Sequence, residues 1–125
     1  MKGLKFEEIK PAHSDDRRTL IPVFNGDFTA LQIKLLKIKK DSVLGNHYHE
    51  YKETFYLLEG EANYVFEDIE TKERQKINLK KDQRITIDPK IAHKAKFVED
   101  TIMIEGTAWP YISKEINDKE YIVDE

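Results

Sequence analysis

Along most of the chain, apolar and polar positions alternate in short runs, and each run ends in a cluster of turn-forming residues. Ala62, Tyr64 and Phe66 alternate cleanly, as do Ile77 with Leu79, Ile85 with Ile87, Ala95 with Phe97, and Ile102 with Ile104. A period of two puts the apolar members of a run on one face of a β-strand. The punctuation lies at Asn25-Gly26-Asp27, Glu59-Gly60-Glu61, residues 68–73, Lys80-Lys81-Asp82, Asp88-Pro89 and Glu99-Asp100, where glycine, proline and short polar side chains favour turns. Residues 19–24 read as a strand in which Pro22 suits an edge. Residues 28–39 read as a strand with a bulge, because Leu31, Ile33 and Leu35 alternate before Leu36 and Ile38 shift the parity. A helix using Leu31, Leu35 and Ile38 is rejected because both flanks are turns. Residues 41–46 read as a loop and 48–58 as continuous strand.

Many short strands separated by regular turns predict an all-β sandwich or barrel, and a jelly roll of two antiparallel sheets fits the count. The barrel core is expected over residues 19–107. The flanking segments 1–18, with Leu4, Phe6 and Ile9, and 108–125 lack the clear pattern. They are expected to be arms that wrap the barrel or pair with a neighbouring subunit. There is no internal repeat and no low-complexity stretch.

A chain of 125 residues suits a single domain, 1–125. It has no cysteine, so neither disulfides nor thiolate chemistry is available. The net charge is -3 and basic residues do not cluster on one element, so nucleic acid is not an expected partner. No apolar run approaches membrane-spanning length, and Met1-Lys2-Gly3-Leu4-Lys5 leads into charge rather than into a signal-peptide core. A cytoplasmic protein with no membrane partner is expected. The exposed edges of a small barrel must be paired or covered, which predicts a homodimer.

The chemistry concentrates at His47, His49, Glu53 and His93, three of the four histidines and one carboxylate. His47 and His49 share a strand face. Glu53 keeps their parity and can rejoin that face if the strand continues or turns back after Tyr51. His93 arrives from a separate strand after the Asp88-Pro89 break. Three imidazoles and a carboxylate form a complete ligand set for a divalent transition metal, with Zn, Fe, Mn and Ni all eligible. An isolated His-x-His means little, but the glutamate, Gly60 and His93 favour a metal site over a chance pair. The remaining alternative uses the histidines for acid–base work without metal.

Tyr48 and Tyr64 are candidate catalytic acids, with Tyr56 behind them; the competing reading for each is barrel core or interface. Arg17 can bind a diphosphate bidentately, or simply pair with Asp15 and Asp16. Lys52 and Arg84 are expected in solvent, Trp109 in packing, Asp88 in a turn and His13 exposed. Ser14, Ser42 and Ser113 are the only serines, and none has the setting of an activated nucleophile.

These residues resemble the cupin superfamily. Gly45-Asn46-His47-Tyr48-His49 through Glu53 to Gly60 is similar to its first motif, and Asp82 through Asp88-Pro89-Lys90-Ile91-Ala92-His93 to its second. The likeness covers about residues 28–107. The second motif departs from the pattern at Asp82, Asp88, Lys90 and Phe97 but keeps His93. The resemblance implies a double-stranded β-helix holding a metal at His47, His49, Glu53 and His93. Asp15-Asp16-Arg17-Arg18-Thr19-Leu20 further resembles the opening motif of cupins that act on nucleotide sugars: 3,5-epimerases, 3,4-ketoisomerases and the C-terminal cupins of capsular-polysaccharide enzymes. Arg18 and Leu44 depart from it. Metal-free ketoisomerases typically lack the glutamate that Glu53 supplies. The resemblance implies a small-molecule substrate, a nucleotide sugar, epimerised or isomerised next to a keto group. A metal-dependent dioxygenase and a non-catalytic small-molecule-binding cupin are the alternatives.

Overall fold

The computed structural model describes residues 1–124. The strands in chain order are β1 (Leu4–Glu8), β2 (His13–Ser14), β3 (Thr19–Leu20), β4 (Gln32–Ile38), β5 (Val43–Tyr48), β6 (Glu53–Glu59), β7 (Glu61–Asp68), β8 (Arg74–Lys80), β9 (Gln83–Ile87), β10 (Ile91–Phe97) and β11 (Thr101–Thr107). The short helix α1 (Lys114–Asn117) and β12 (Lys119–Glu120) follow. Sheet one runs β1-β9-β6-β11-β4, and sheet two runs β12-β5-β10-β7-β8. From β4 to β7 the chain passes back and forth between the sheets, and every pairing is antiparallel. This is the jelly roll that the alternation predicts. Among the described residues no helix is long and apolar enough to cross a membrane.

Inward side chains of both sheets form the core. Phe55 and Leu57 come from β6, Tyr64 and Phe66 from β7, Ile85 and Ile87 from β9, and Phe97 from β10. Two glycines let the backbone make the turns this requires. Gly60 has φ +104° where β6 of sheet one passes into β7 of sheet two, and a Cβ there would lie 2.7 Å from Thr101 Cα. Gly45 has φ +105° where β5 crosses the register shift between His93 and Lys94 of β10, with Lys94 Cα 3.0 Å from where a Cβ would stand. Neither position admits a side chain without movement of its neighbour.

Several expectations are corrected. Residues 28–39 contain no bulge: β4 pairs in continuous register with β11. Its two apolar parities are two faces. Leu36 and Ile38 point inward, while Leu31, Ile33 and Leu35 face outward on this edge strand and are 60–64% exposed. Of residues 19–24 only Thr19–Leu20 is strand, paired with His13–Ser14 in a two-stranded hairpin. The residues after it cross the outer face of sheet one, where Phe24 packs over Gly106 and the Arg84 guanidinium. Arg84 is therefore not solvated; it is 2% exposed. The strand begins at Val43 inside the expected loop, and the run 48–58 is broken between Tyr48 and Glu53. Both terminal segments fold onto their own barrel: β1 extends sheet one, β12 extends sheet two, and Val123 is buried with Val65 and Ala92.

Candidate functional site

The site grows from one register pair and one chain reversal. Antiparallel pairing of β5 with β10 sets His47 directly opposite His93, and their rings meet edge to face with centroids 4.7 Å apart. His49 lies one residue beyond β5, two positions from His47, and its ring centroid is 4.7 Å from that of His47. The chain then reverses into β6 of the other sheet, whose first residue is Glu53. That break is what brings the carboxylate back to the histidines. One ring nitrogen from each of His47, His49 and His93 falls within 4.8 Å of the others. Glu53 touches two of the three: Oε2 is 3.2 Å from His49 Nε2 and Oε1 is 3.5 Å from His93 Nδ1.

Burial makes this arrangement costly as it stands. Glu53 is 1% exposed, and Glu53 Oε1, Glu53 Oε2 and His93 Nδ1 are all buried without a hydrogen-bond partner. Such groups are normally satisfied. Burial works to raise the Glu53 carboxyl, but the charges of His93 and His49 outweigh it and hold the pKa below the usual range. Burial also works to lower His49, yet its contact with Glu53 lifts it to about 9. His47 is lowered to about 4 by burial and then by the neighbouring imidazoles, and burial lowers His93. His49 Nδ1 is 2.7 Å from the Asn117 carbonyl oxygen, to which its N–H donates, leaving Nε2 as the atom facing Glu53. A histidine fixed through its outer nitrogen on a backbone carbonyl is the usual support for a metal ligand. The donor set fits a divalent cation: three imidazoles and a carboxylate, with unmet valences turned toward one another.

The four groups line a cavity of about 230 Å³ between the sheets. Its walls are otherwise apolar, with Leu36, Phe55, Phe97 and Met103, except for Tyr64, Lys34, Glu105, Lys114 and Asp118. The sequence reading missed Glu105 and Lys34. Ile102 and Ile104 suggested the inward face of β11, whereas Met103 and Glu105 are the residues that line the cavity. The signal was there: a glutamate sharing parity with Met103 and Thr107. Burial, then the charge of Glu53, raises the Glu105 carboxyl to about 7, and Lys34 works against this from 3.7 Å. Asn117 and Asp118 were also missed. They sit in the C-terminal segment, which has no periodicity to read. Asp118 lies 3.6 Å from His47 Nδ1 and 3.5 Å from His49 Nδ1.

The other candidates fall elsewhere. Tyr64 lines the cavity, but it is fully enclosed, with its hydroxyl 4.0 Å from Met103 Sδ and its pKa raised by burial. Tyr48 does not line the cavity; it packs against Tyr121 with ring centroids 6.3 Å apart, beside Val65, Ala92 and Val123. The Tyr56 hydroxyl donates to Asp82. Arg17 is exposed on the β2–β3 hairpin, 3.3 Å from Asp15 and outside the cavity. His13 is exposed and also contacts Asp15.

The model of the family described as polysaccharide biosynthesis C-terminal domain matches residues 13–119. No curated protein matches the chain. Among solved structures it is similar to WlaRA, a TDP-fucose-3,4-ketoisomerase from Campylobacter jejuni, at 24% identity and TM-score 0.75, covering 93% of this chain and 87% of that one. It is similar to a variant of QdtA, a 3,4-ketoisomerase from Thermoanaerobacterium thermosaccharolyticum solved with TDP-4-keto-6-deoxyglucose. That likeness has 16% identity and TM-score 0.76, over 91% of this chain and 86% of that one. It also resembles the dTDP-4-dehydrorhamnose 3,5-epimerase of Sulfolobus tokodaii, at 20% identity and TM-score 0.78, over 93% of this chain and 76% of that one. These likenesses establish the cupin fold, and the match over residues 13–119 establishes that the chain belongs to the polysaccharide biosynthesis C-terminal domain family.

Proposed function

We propose that the protein is a nucleotide-sugar isomerase, of the ketoisomerase or epimerase kind, that uses a divalent transition metal held by His47, His49, His93 and Glu53. The observation that carries this reading is the cluster of unsatisfied buried donors, Glu53 Oε1 and Oε2 with His93 Nδ1, lining a cavity beside two further imidazoles. The activities of WlaRA, QdtA and the Sulfolobus tokodaii epimerase support the substrate class. A bound cation of this type supplies Lewis acidity toward a carbonyl oxygen. The chain's own groups do the rest. Asn117 fixes the tautomer of His49, the apolar walls exclude water from the sugar ring, and His47 is the least buried of the three histidines, with 21% of its side chain exposed. The outward Leu31, Ile33 and Leu35 of edge strand β4 support a homodimer as the working state, which sedimentation would measure.

The test has two parts. Elemental analysis of untagged protein should return about one divalent metal per chain. Incubation of the metal-loaded protein with TDP-4-keto-6-deoxyglucose in deuterated water should place deuterium on the carbon beside the ketone. Tight binding without exchange overturns the isomerase reading, and iron with substrate-dependent oxygen uptake replaces it with an oxygenase.

A further inference from the structure

Among the described residues, the cavity wall carries one ion pair besides those of the four clustered donors. Glu105 of β11 and Lys34 of β4 are direct register partners, with Nζ 3.7 Å from Oε1. Around them the inward positions are apolar. Phe55 is the partner of Glu105 on β6, and the next inward pair along β11 and β4 is Met103 with Leu36. The Glu105 side chain is 14% exposed and the Lys34 side chain 36%. The Lys34 ammonium also lies 5.3 Å over the Tyr111 ring, which holds it at the cavity. A carboxylate on an apolar wall is costly, and one lysine at 3.7 Å offsets that cost only in part. The pair faces the histidines from the opposite sheet, so a sugar in the cavity lies between them.

We propose that Glu105 is the base that moves the substrate proton, with Lys34 as its positioning partner. This rests on the isomerase reading above. If His47, His49, His93 and Glu53 are engaged with a metal, none is free to take a proton. Tyr64 is sealed against Met103, and Asp118 lies against the outer nitrogens of His47 and His49. Glu105 is the carboxylate that remains. In a 4-keto sugar it removes the hydrogen from C3. The C–H electron pair becomes the C3–C4 double bond, and the former carbonyl oxygen takes the negative charge. Glu105, whose side chain is 14% exposed, exchanges its proton with solvent; delivery of a proton from it to C4, with transfer of the C3 hydroxyl proton to the C4 oxygen, leaves a 3-keto sugar. The conversion is redox-neutral and needs no co-reactant. Lys34 keeps Glu105 anionic and offers its N–H groups to the oxygens of the same sugar.

The experiment measures deuterium uptake into TDP-4-keto-6-deoxyglucose by metal-loaded protein, with affinity for the same compound measured separately. E105Q should bind within about threefold of the parent and exchange at least about 100-fold more slowly, and E105D should recover part of the rate. K34M should move the acid limb of the exchange–pH profile upward, since the lysine charge no longer opposes protonation of Glu105. Glu53 from β6, His49 from the turn before it and Asp118 after α1 also act on Glu105, and Lys114 of α1 lines the same cavity; these are identical in parent and variant. Exchange by E105Q at the parent's rate overturns the assignment. If E105Q does not fold, an unmoved limb in K34M overturns it instead. No exchange by the parent overturns both the isomerase reading and this assignment.

Discussion

Sheet one buries a charge on each of its faces, on the paired strands β9 and β6. On the outer face Arg84 reaches Thr54, and on the inner face stands Glu53; the two charged residues are 2% and 1% exposed. Their surroundings differ. Arg84 Nε donates to Thr54 Oγ1 at 2.7 Å, Nη1 donates to Asp27 at 2.9 Å and to the Val23 carbonyl at 3.1 Å, and the guanidinium lies 4.9 Å over the Phe24 ring. Of the three guanidinium nitrogens the chain satisfies two, and Nη2 is left without a partner. Around Glu53 it supplies only imidazoles, at distances that leave both carboxylate oxygens without hydrogen bonds. Burial is common to both, so burial does not mark the functional group. The extent of the unmet valence does: Arg84 keeps most of its hydrogen bonds and ties a loop to the barrel, while Glu53 has none and is kept for something the polypeptide does not contain.

The sharpest way to break this contrast is at Glu53. E53Q, and likewise H93A, should lose bound metal almost completely, a fall in affinity above about 1,000-fold, while the barrel stays folded; competition with a chromophoric chelator measures it. Unchanged metal content in either variant removes that residue from the ligand set. Stripping the metal from the parent should lower its melting temperature, because a ligand bound only by the native state stabilises it. The stripped protein should also acquire a pH dependence. Against the effect of burial, Glu53 chiefly, with the Asn117 carbonyl and Asp118, raises the His49 pKa to about 9. Its contribution is therefore fully present below the unfolded-state value near 6.5 and is lost as the pH rises through 9. Melting temperatures that fall from pH 7 to 9.5 in the stripped but not the loaded protein are the expected result.

The outer-face charge should behave in the opposite way. R84M breaks the pair with Asp27 and the hydrogen bond to Thr54, and should cost about 2–3 kcal/mol of unfolding free energy, read from denaturant titration, with metal affinity within a factor of about two of the parent. A metal defect larger than that would show that the two faces of sheet one are coupled, and the contrast would lose its meaning.

The same two faces explain what could be read from the sequence. The barrel was legible because alternation reports one buried face, and Ala62, Tyr64 and Phe66 or Ile85 and Ile87 carry it without ambiguity. The histidine cluster was legible because His47, His49 and Glu53 are close in sequence and His93 follows the Asp88-Pro89 break. The reading failed where both faces of a strand are apolar or covered. On β4, Leu31, Ile33 and Leu35 mimicked a core and made a bulge appear necessary. On β11, Ile102 and Ile104 drew attention from Glu105. Arg84 looked solvated because nothing local signals that the loop carrying Phe24 and Asp27 will cover it. Asn117 was invisible for a further reason: its role depends on contacts 66 and 68 residues away, at Tyr51 and His49.

Asn117 gives the smallest effect and the finest test of the comparison, because it belongs to the part of the site that the chain does satisfy. Its side-chain oxygen accepts from the N–H groups of Ile112 and Ser113 at 2.8 and 3.1 Å, and its amide donates to the Tyr51 hydroxyl and the Pro110 carbonyl. These bonds hold the segment whose backbone carbonyl accepts the His49 Nδ1 proton. N117A deletes all four and leaves that carbonyl in place but unanchored, so the imidazole loses its fixed orientation. Loss of such outer support typically costs about 10–100-fold in metal affinity, and the lower end is expected here because the ligand atoms themselves are untouched. N117D retains an oxygen for Ile112 and Ser113 and should recover most of the loss. A merely structural role would lower the melting temperature of both variants and leave their chelator competition curves on top of the parent's. Separation of those curves, with N117D between N117A and the parent, is what a segment that aims His49 requires.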